Sequence, residues 1–290
     1  MTEMVKARSS EGQSVLPSLL GRFSVEVLLK DTRGIDAACS LLDPGSEVFV
    51  ASLPNDGSNG LVGACAKLQR SGLNPVPHLA ARNIRSLGEF DESLGRLAAE
   101  AGVDRALVLG GDRDHAVGPF SASLDLIETG LLQKHGIGKV AFGCHPEGHP
   151  RVADGVMWPA LKAKLDAARD AGIETYLVSQ FAFAAEPIVG LAGRLRDAGI
   201  SAPLRVGVAG PAAASTLIKY AVMCGVGPSL RALKERQALA KAVATGETPE
   251  ELLIEVAAAM AVNPEFGFEG VHFFTFGSLE SSVRFAHRLR

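Results

Sequence analysis

The chain has 290 residues, 47% of them apolar and 21% charged, with a net charge of −3. That is ample material for one large core, and with no basic stripe it does not read as a nucleic-acid binder. Cys39, Cys65, Cys144 and Cys224 are widely spaced without a CxxC pair, so neither a disulfide framework nor a zinc ribbon is read, and a reducing compartment suits them.

The first 22 residues are mostly polar, and their one apolar stretch, Val15 to Leu20, is interrupted by Pro17 and Ser18. No signal-peptide core is present, and no apolar stretch reaches the roughly 20 residues of a membrane helix. A soluble, cytoplasmic protein is expected. Residues 1–21 read as an N-terminal extension and 22–290 as a single catalytic domain.

Short apolar or β-branched runs then recur, each followed by a longer stretch with helical spacing. The expected strands are Phe23–Leu28, Glu47–Ala51, Asn74–Leu79, Arg105–Gly110, Lys139–Cys144, Thr175–Gln180, Arg205–Ala209 and Val271–Phe276. Runs this short and this apolar suit parallel strands covered on both faces. Between them, Leu87, Phe90, Leu94 and Leu97 make one apolar helical stripe; Trp158, Leu161, Leu165 and Ala168 make a second, and Ile188, Leu191, Leu195 and Ala198 a third. Ala101-Gly102, Ala171-Gly172 and Ala198-Gly199 read as helix ends. Between the seventh and eighth strands, residues 228–245 and 249–262 read as extra helices, the second opened by a capping box at Thr248-Pro249-Glu250-Glu251. Eight right-handed strand–helix units close most simply into a (β/α)8 TIM barrel, an α/β fold; a doubly wound open sheet is the alternative.

In such a barrel the active site lies at the C-terminal ends of the strands. Polar residues there are Glu26 on the first strand, Ser52 after the second, His78 on the third, Gly110-Gly111-Asp112 at the end of the fourth, the loop His145-Pro146-Glu147-Gly148-His149-Pro150 after the fifth, and Gln180 ending the sixth. Each has a plain structural reading. Glu26 can be an ion-pair partner, although a carboxylate on a core strand is costly unless paired or protonated. His78 can be a satisfied core histidine, Asp112 a loop cap and Gln180 incidental. Their collection at one end favours function. Gly110 and Gly111 allow close approach of a planar or anionic ligand. His145 and His149, with His78, Asp112 and Glu26, raise the alternative of a metal-dependent hydrolase. Pro146 and Pro150 prevent a helix that would align the two histidines, and the first strand has no His-x-His pair, so no metal ligand is assigned.

Taken together, Glu26, Ser52, Pro77-His78-Leu79, Gly111-Asp112, Pro146-Glu147-Gly148-His149-Pro150, Ser179-Gln180-Phe181 and His272-Phe273-Phe274-Thr275-Phe276 resemble the methylenetetrahydrofolate reductase family, in order and spacing from about residue 22 onward. The resemblance implies a barrel that interconverts 5,10-methylenetetrahydrofolate and 5-methyltetrahydrofolate in one-carbon metabolism and methionine biosynthesis. NADH or NADPH would donate hydride through a flavin, usually FAD, in a ping-pong cycle. By position, Glu26 would be the general acid, and Asp112 would lie between the flavin pyrimidine edge and the pterin and favour a cationic iminium. Gln180 would bind folate. Ser52, His78, Gly110, Gly111, His145 and His149 would line the flavin, and Lys164 would touch its distal part. A homo-oligomer is also implied.

The chain departs from the family pattern in several places. Gly110 stands where the family often has arginine, His145 where a tyrosine precedes Pro-Glu, and Leu28-Leu29 where Pro-Pro follows the first-strand Glu. The Gly210–Ser215 loop lacks an aromatic. Direct hydride transfer without flavin, and a non-catalytic folate-binding subunit, are the further alternatives.

Overall fold

A computed structural model describes residues 2–54, 56–227 and 248–290, with side chains described from residue 10 onward. The strands are β1 (Ser24–Leu28), β2 (Glu47–Ala51), β3 (Asn74–Ala80), β4 (Arg105–Leu109), β5 (Lys139–Cys144), β6 (Glu174–Ser179), β7 (Leu204–Ala209) and β8 (Phe268–Phe274). They follow one another in chain order around a closed barrel. The pairs β2–β3, β3–β4, β4–β5 and β7–β8 are parallel. Consecutive residues Val48, Phe49 and Val50 are all fully buried, as a strand covered on both faces requires. The expected barrel is therefore the observed fold.

In the first seven strands no end differs from the expected one by more than a single residue. The eighth is the exception: it begins at Phe268 and stops at Phe274, not Phe276. Phe276 has φ of +48°, which a strand cannot contain, and Ser278 N donates to Thr275 O across the turn.

Close contacts group the residues into two units. The first comprises residues 26–143 and 155–177. It holds helices α2 (Thr32–Leu41), α3 (Ser58–Arg70), α4 (Leu87–Ala101), α5 (Ser123–Glu128), α6 (Leu131–Lys134) and nearly all of α7 (Asp154–Asp170). In α4 the stripe Phe90, Leu94, Leu97 and Ala101 is buried, while Leu87, expected inside, is exposed at the first turn. Ser86 caps this helix by accepting from Glu89 N, and Gly102 ends it at φ +57°.

The second unit comprises residues 1–25, 144–154 and 178–290. Among the described residues its helices are α1 (Thr2–Leu20), α8 (Ala185–Asp197), α9 (Ala214–Cys224), α10 (Glu250–Val262) and α11 (Leu279–Leu289). Helix α1 is not among the expected elements. It runs through Pro17, packs on α10 and β8, and buries Leu16, Leu19 and Leu20. Proline costs this helix one backbone bond, and the buried leucines of its last turns offset that loss. Of the two extra helices expected before β8, α10 is present and the 228–245 segment lies outside the described residues. The expected capping box is absent: Pro249 itself is the cap residue, and no side chain caps the helix. In α8, Ile188, Leu191 and Leu195 are buried as expected, whereas Ala198 lies past the helix end and is exposed.

Candidate active site

Glu26 is the third of five residues in β1, between the buried Val25 and Val27. Alternation turns its side chain to the face opposite those valines. Its Oε2 lies 3.4 Å from Nε2 of His78, with side-chain exposures of 21% and 10%. The carboxylate that the sequence places on a core strand is thus paired and partly open to solvent. His78 comes from β3, opposite Leu107 of β4 in register, and its ring meets Phe49 edge-on at 6.2 Å. A carboxylate and an imidazole 52 positions apart in the chain are brought together near the C-terminal ends of two strands.

Beyond β4 the backbone carries no side chain at Gly110 or Gly111. Gly111 has φ of +97°, and a Cβ there would press on Cβ of Ala80 at 3.3 Å. A Cβ at Gly110 would meet only Nη2 of Arg82, at 3.9 Å. Without side chains at these two positions a ligand could approach the backbone closely. Asp112 follows and is exposed.

The sequence reading misses the groups that shape this rim. Arg82 donates from Nε to Ser121 O at 2.9 Å and from Nη1 to Arg113 O at 2.8 Å. Arg113 donates from Nε to Asn83 Oδ1 at 2.9 Å and from Nη2 to Pro54 O at 2.7 Å. Two arginines thereby tie together the loops after β2, β3 and β4. The only signal in the sequence is a pair of cations just past strand ends.

Ser52 and His78 line a small cavity of about 90 Å³ with Ala80 and Asn83. A larger one of about 550 Å³ lies outside the motif residues, between Leu29, Lys30, Gly57, Gly60 and Lys67. Asp56 touches both cavities. Its side chain is 1% exposed and pairs with Lys30 at 2.8 Å, and Leu53 N donates to it. The Lys30 hydrogen bond holds this carboxyl below the usual range against the opposing cost of burial.

Lys164 sits on α7, ten residues or about 15 Å from its start, with Nζ 5.1 Å over the Phe142 ring.

Within the second unit, the loop after β5 turns at Gly148, whose N donates to His145 O. No helix forms, as the prolines predict, yet the His145 and His149 rings meet edge-on at 4.6 Å. Gln180 directly follows β6; its N donates to Cys144 O, and its side-chain oxygen accepts from Phe181 N at 3.1 Å. That leaves the carboxamide N–H groups to donate. His272 of β8 is buried and its Nδ1 lies 2.9 Å from Ser24 Oγ. Among the described residues, no three His, Cys, Asp or Glu side chains form a group that could hold a metal ion, and no helix is long and apolar enough to cross a membrane.

The chain is similar, at low identity, to several solved barrel enzymes. The dihydropteroate synthase of Thermus thermophilus shares 16% identity, with TM-score 0.48 over 93% of this chain and 94% of that one. That of Xanthomonas albilineans with 4-aminobenzoic acid shares 15%, with TM-score 0.47 over 92% of each. The 3-dehydroquinate dehydratase of Aquifex aeolicus shares 12%, with TM-score 0.42 over 63% of this chain and 78% of that one. The methylenetetrahydrofolate reductase family profile matches residues 55–290, a span that holds His78, Asp112, His149 and Gln180 and leaves Glu26 and Ser52 before its start. On that match the chain belongs to the methylenetetrahydrofolate reductase family, oxidoreductases that act on folate.

Proposed function

We propose that this chain interconverts 5,10-methylenetetrahydrofolate and 5-methyltetrahydrofolate, with NADH or NADPH as the hydride source, FAD as the bound cofactor and Glu26 as the general acid. The observation that carries the reading is the Glu26–His78 pair at 3.4 Å near the strand ends of a barrel whose family is established. Glu26 gives a proton to the folate nitrogen that leaves the methylene carbon; that C–N bond breaks, and the remaining nitrogen forms an iminium. The methylene carbon then accepts a hydride and becomes a methyl group. Bound flavin supplies the chemistry that relays this hydride from the nicotinamide. A carboxyl within reach of the leaving nitrogen is the group such a step needs, and His78 orients it. In this reading the Asp112 carboxylate favours the cationic iminium, because fixed charge placed where charge develops lowers the barrier. The free donors of Gln180 suit the oxygen and nitrogen acceptors of a pterin. Ser52, His78, Gly110, Gly111, His145 and His149 are assigned to the flavin and Lys164 to its distal part, by their positions in the family motifs.

Glu26→Gln is expected to lower folate turnover by about 10²–10⁴-fold. Oxidation of the nicotinamide by the flavin should change by no more than about twofold, since that half-reaction needs no acid at the folate nitrogen. Equal losses in both half-reactions would remove Glu26 from the role. The departures at Gly110 and His145 favour a second reading, direct hydride transfer without flavin. A freshly purified protein that is colourless and active would establish it over the first.

A further inference from the structure

We propose that Arg82 is the positioning residue of the loop after β4: it holds residues 110–121, and with them Asp112, in the geometry the folate step requires. The inference rests on the reductase reading of this site.

Arg82 lies in the short 3-10 turn Ala81–Asn83, directly after β3. Its backbone N donates to Gly110 O at 3.0 Å, and its carbonyl accepts from Val117 N at 3.1 Å. The guanidinium then reaches along the same loop. Nη1 donates to Gly111 O at 3.4 Å and to Arg113 O at 2.8 Å, the two carbonyls that flank Asp112. Nε donates to Ser121 O at 2.9 Å, at the far end of the loop. One side chain therefore bonds both sides of Asp112 and the segment that leads into α5.

This loop has no helix or strand of its own between Leu109 and Ser123, so its order must come from contacts. Gly118 supplies one: a side chain there would overlap the carbonyls of Ile84 and Arg85, so the loop lies directly on the chain that follows Arg82. Arg113 supplies another by reaching back to Asn83. The bonds of the Arg82 guanidinium run to main-chain carbonyls, so its work is to hold backbone in place. The guanidinium spreads these donors over two nitrogens in one fixed plane, whereas an ammonium would have to make all three bonds from a single nitrogen.

The test uses Arg82→Ala in the full chain, in wild-type and Asp112→Asn backgrounds. Amide hydrogen exchange of residues 111–121 should accelerate at least about tenfold, with β4 and α4 unchanged. The kcat for methylenetetrahydrofolate reduction should fall about 10–100-fold in the wild-type background, as misplacement of a catalytic group predicts. In the Asp112→Asn background the further fall should be under about twofold, because a residue that acts through Asp112 has nothing left to position. Equal falls in both backgrounds would overturn the positioning role, and so would unchanged exchange in 111–121. A wild-type chain that never turns over folate would defeat the reductase reading, and the positioning role with it, even if the exchange result still revealed a clamp.

Discussion

At the N-terminal ends of β2 and β4, Glu47 and Arg105 meet at 2.7 Å with side-chain exposures of 9% and 20%. Arg105 also bonds Asp104 at 2.7 Å, and the Tyr176 hydroxyl donates to the second oxygen of Glu47 at 3.3 Å. The Asp104 and Glu47 hydrogen bonds push the Arg105 guanidinium further toward its charged form, against the cost of burial. At the C-terminal ends of β1 and β3, Glu26 meets His78 at a longer 3.4 Å, with the Glu26 side chain 21% exposed. Both ends carry a carboxylate and a basic partner on barrel strands. The first is saturated by bonds from three directions, two at 2.7 Å and one at 3.3 Å, which suits a group whose task is to stay put. The second is partly open to solvent, which suits a group that must exchange a proton with something that comes and goes. In this fold the N-terminal end stabilises and the C-terminal end reacts.

The comparison is broken or upheld most directly by removing one charge from each end. Glu26→Gln should give the largest effect of all on turnover, about 10²–10⁴-fold, with Tm within about 2 °C of wild type. Glu47→Gln should do the reverse. Loss of one partner leaves the partly buried Arg105 with Asp104 alone, at a cost on the order of 3 kcal/mol, or roughly 6–9 °C in Tm, with turnover per folded molecule unchanged. Thermal melts and initial rates on the same two preparations decide it. If Glu47→Gln lost turnover as steeply as Glu26→Gln, the division of labour between the ends would be wrong.

Gly111→Ala sharpens the same contrast. The residue has φ of +97° and would place a Cβ at 3.3 Å from that of Ala80. The substitution should cost about 1–3 kcal/mol in a urea melt. Because the strain falls on the turn that carries Asp112, folate turnover should fall with it. A melt shifted without a change in rate would show that the turn tolerates displacement and would weaken the role given to Asp112.

What the sequence makes legible follows from how local each feature is. The first seven strands and most of the α4 stripe are patterns of consecutive or evenly spaced residues, and they stand within a residue of where the pattern puts them. Helix α1 is hidden because Pro17 and Ser18 break the apolar run, whereas in the fold Leu16, Leu19 and Leu20 are still buried in a helix that packs on α10. Glu26 and His78 are legible as polar residues near strand ends, but their pairing spans 52 positions and has no period. The Arg82 clamp is legible only as a cation just past a strand end. A side chain that bonds main-chain carbonyls 29 to 39 residues away leaves no mark on residue type at the accepting end.

The smallest expected effect lies at the N-terminal end and concerns pH. The hydrogen bond from Arg105 holds the Asp104 carboxyl below its ordinary value, with burial opposing. A depressed folded-state value means that the carboxylate contributes stability above the unfolded value near 3.8 and loses it as pH falls below that point. Its side chain is 64% exposed, so solvent and salt screen the pair and the contribution should be no more than about 1 kcal/mol. Urea midpoints of wild type and Asp104→Asn should therefore differ slightly at pH 6 and converge as pH drops through about 4 and below. The gap should also shrink in high salt at pH 6, unlike the effect of Glu47→Gln, whose carboxylate is only 9% exposed. If salt closed both gaps equally, the saturated cluster would behave as a surface ion pair, and the contrast between the two strand ends would lose its structural half.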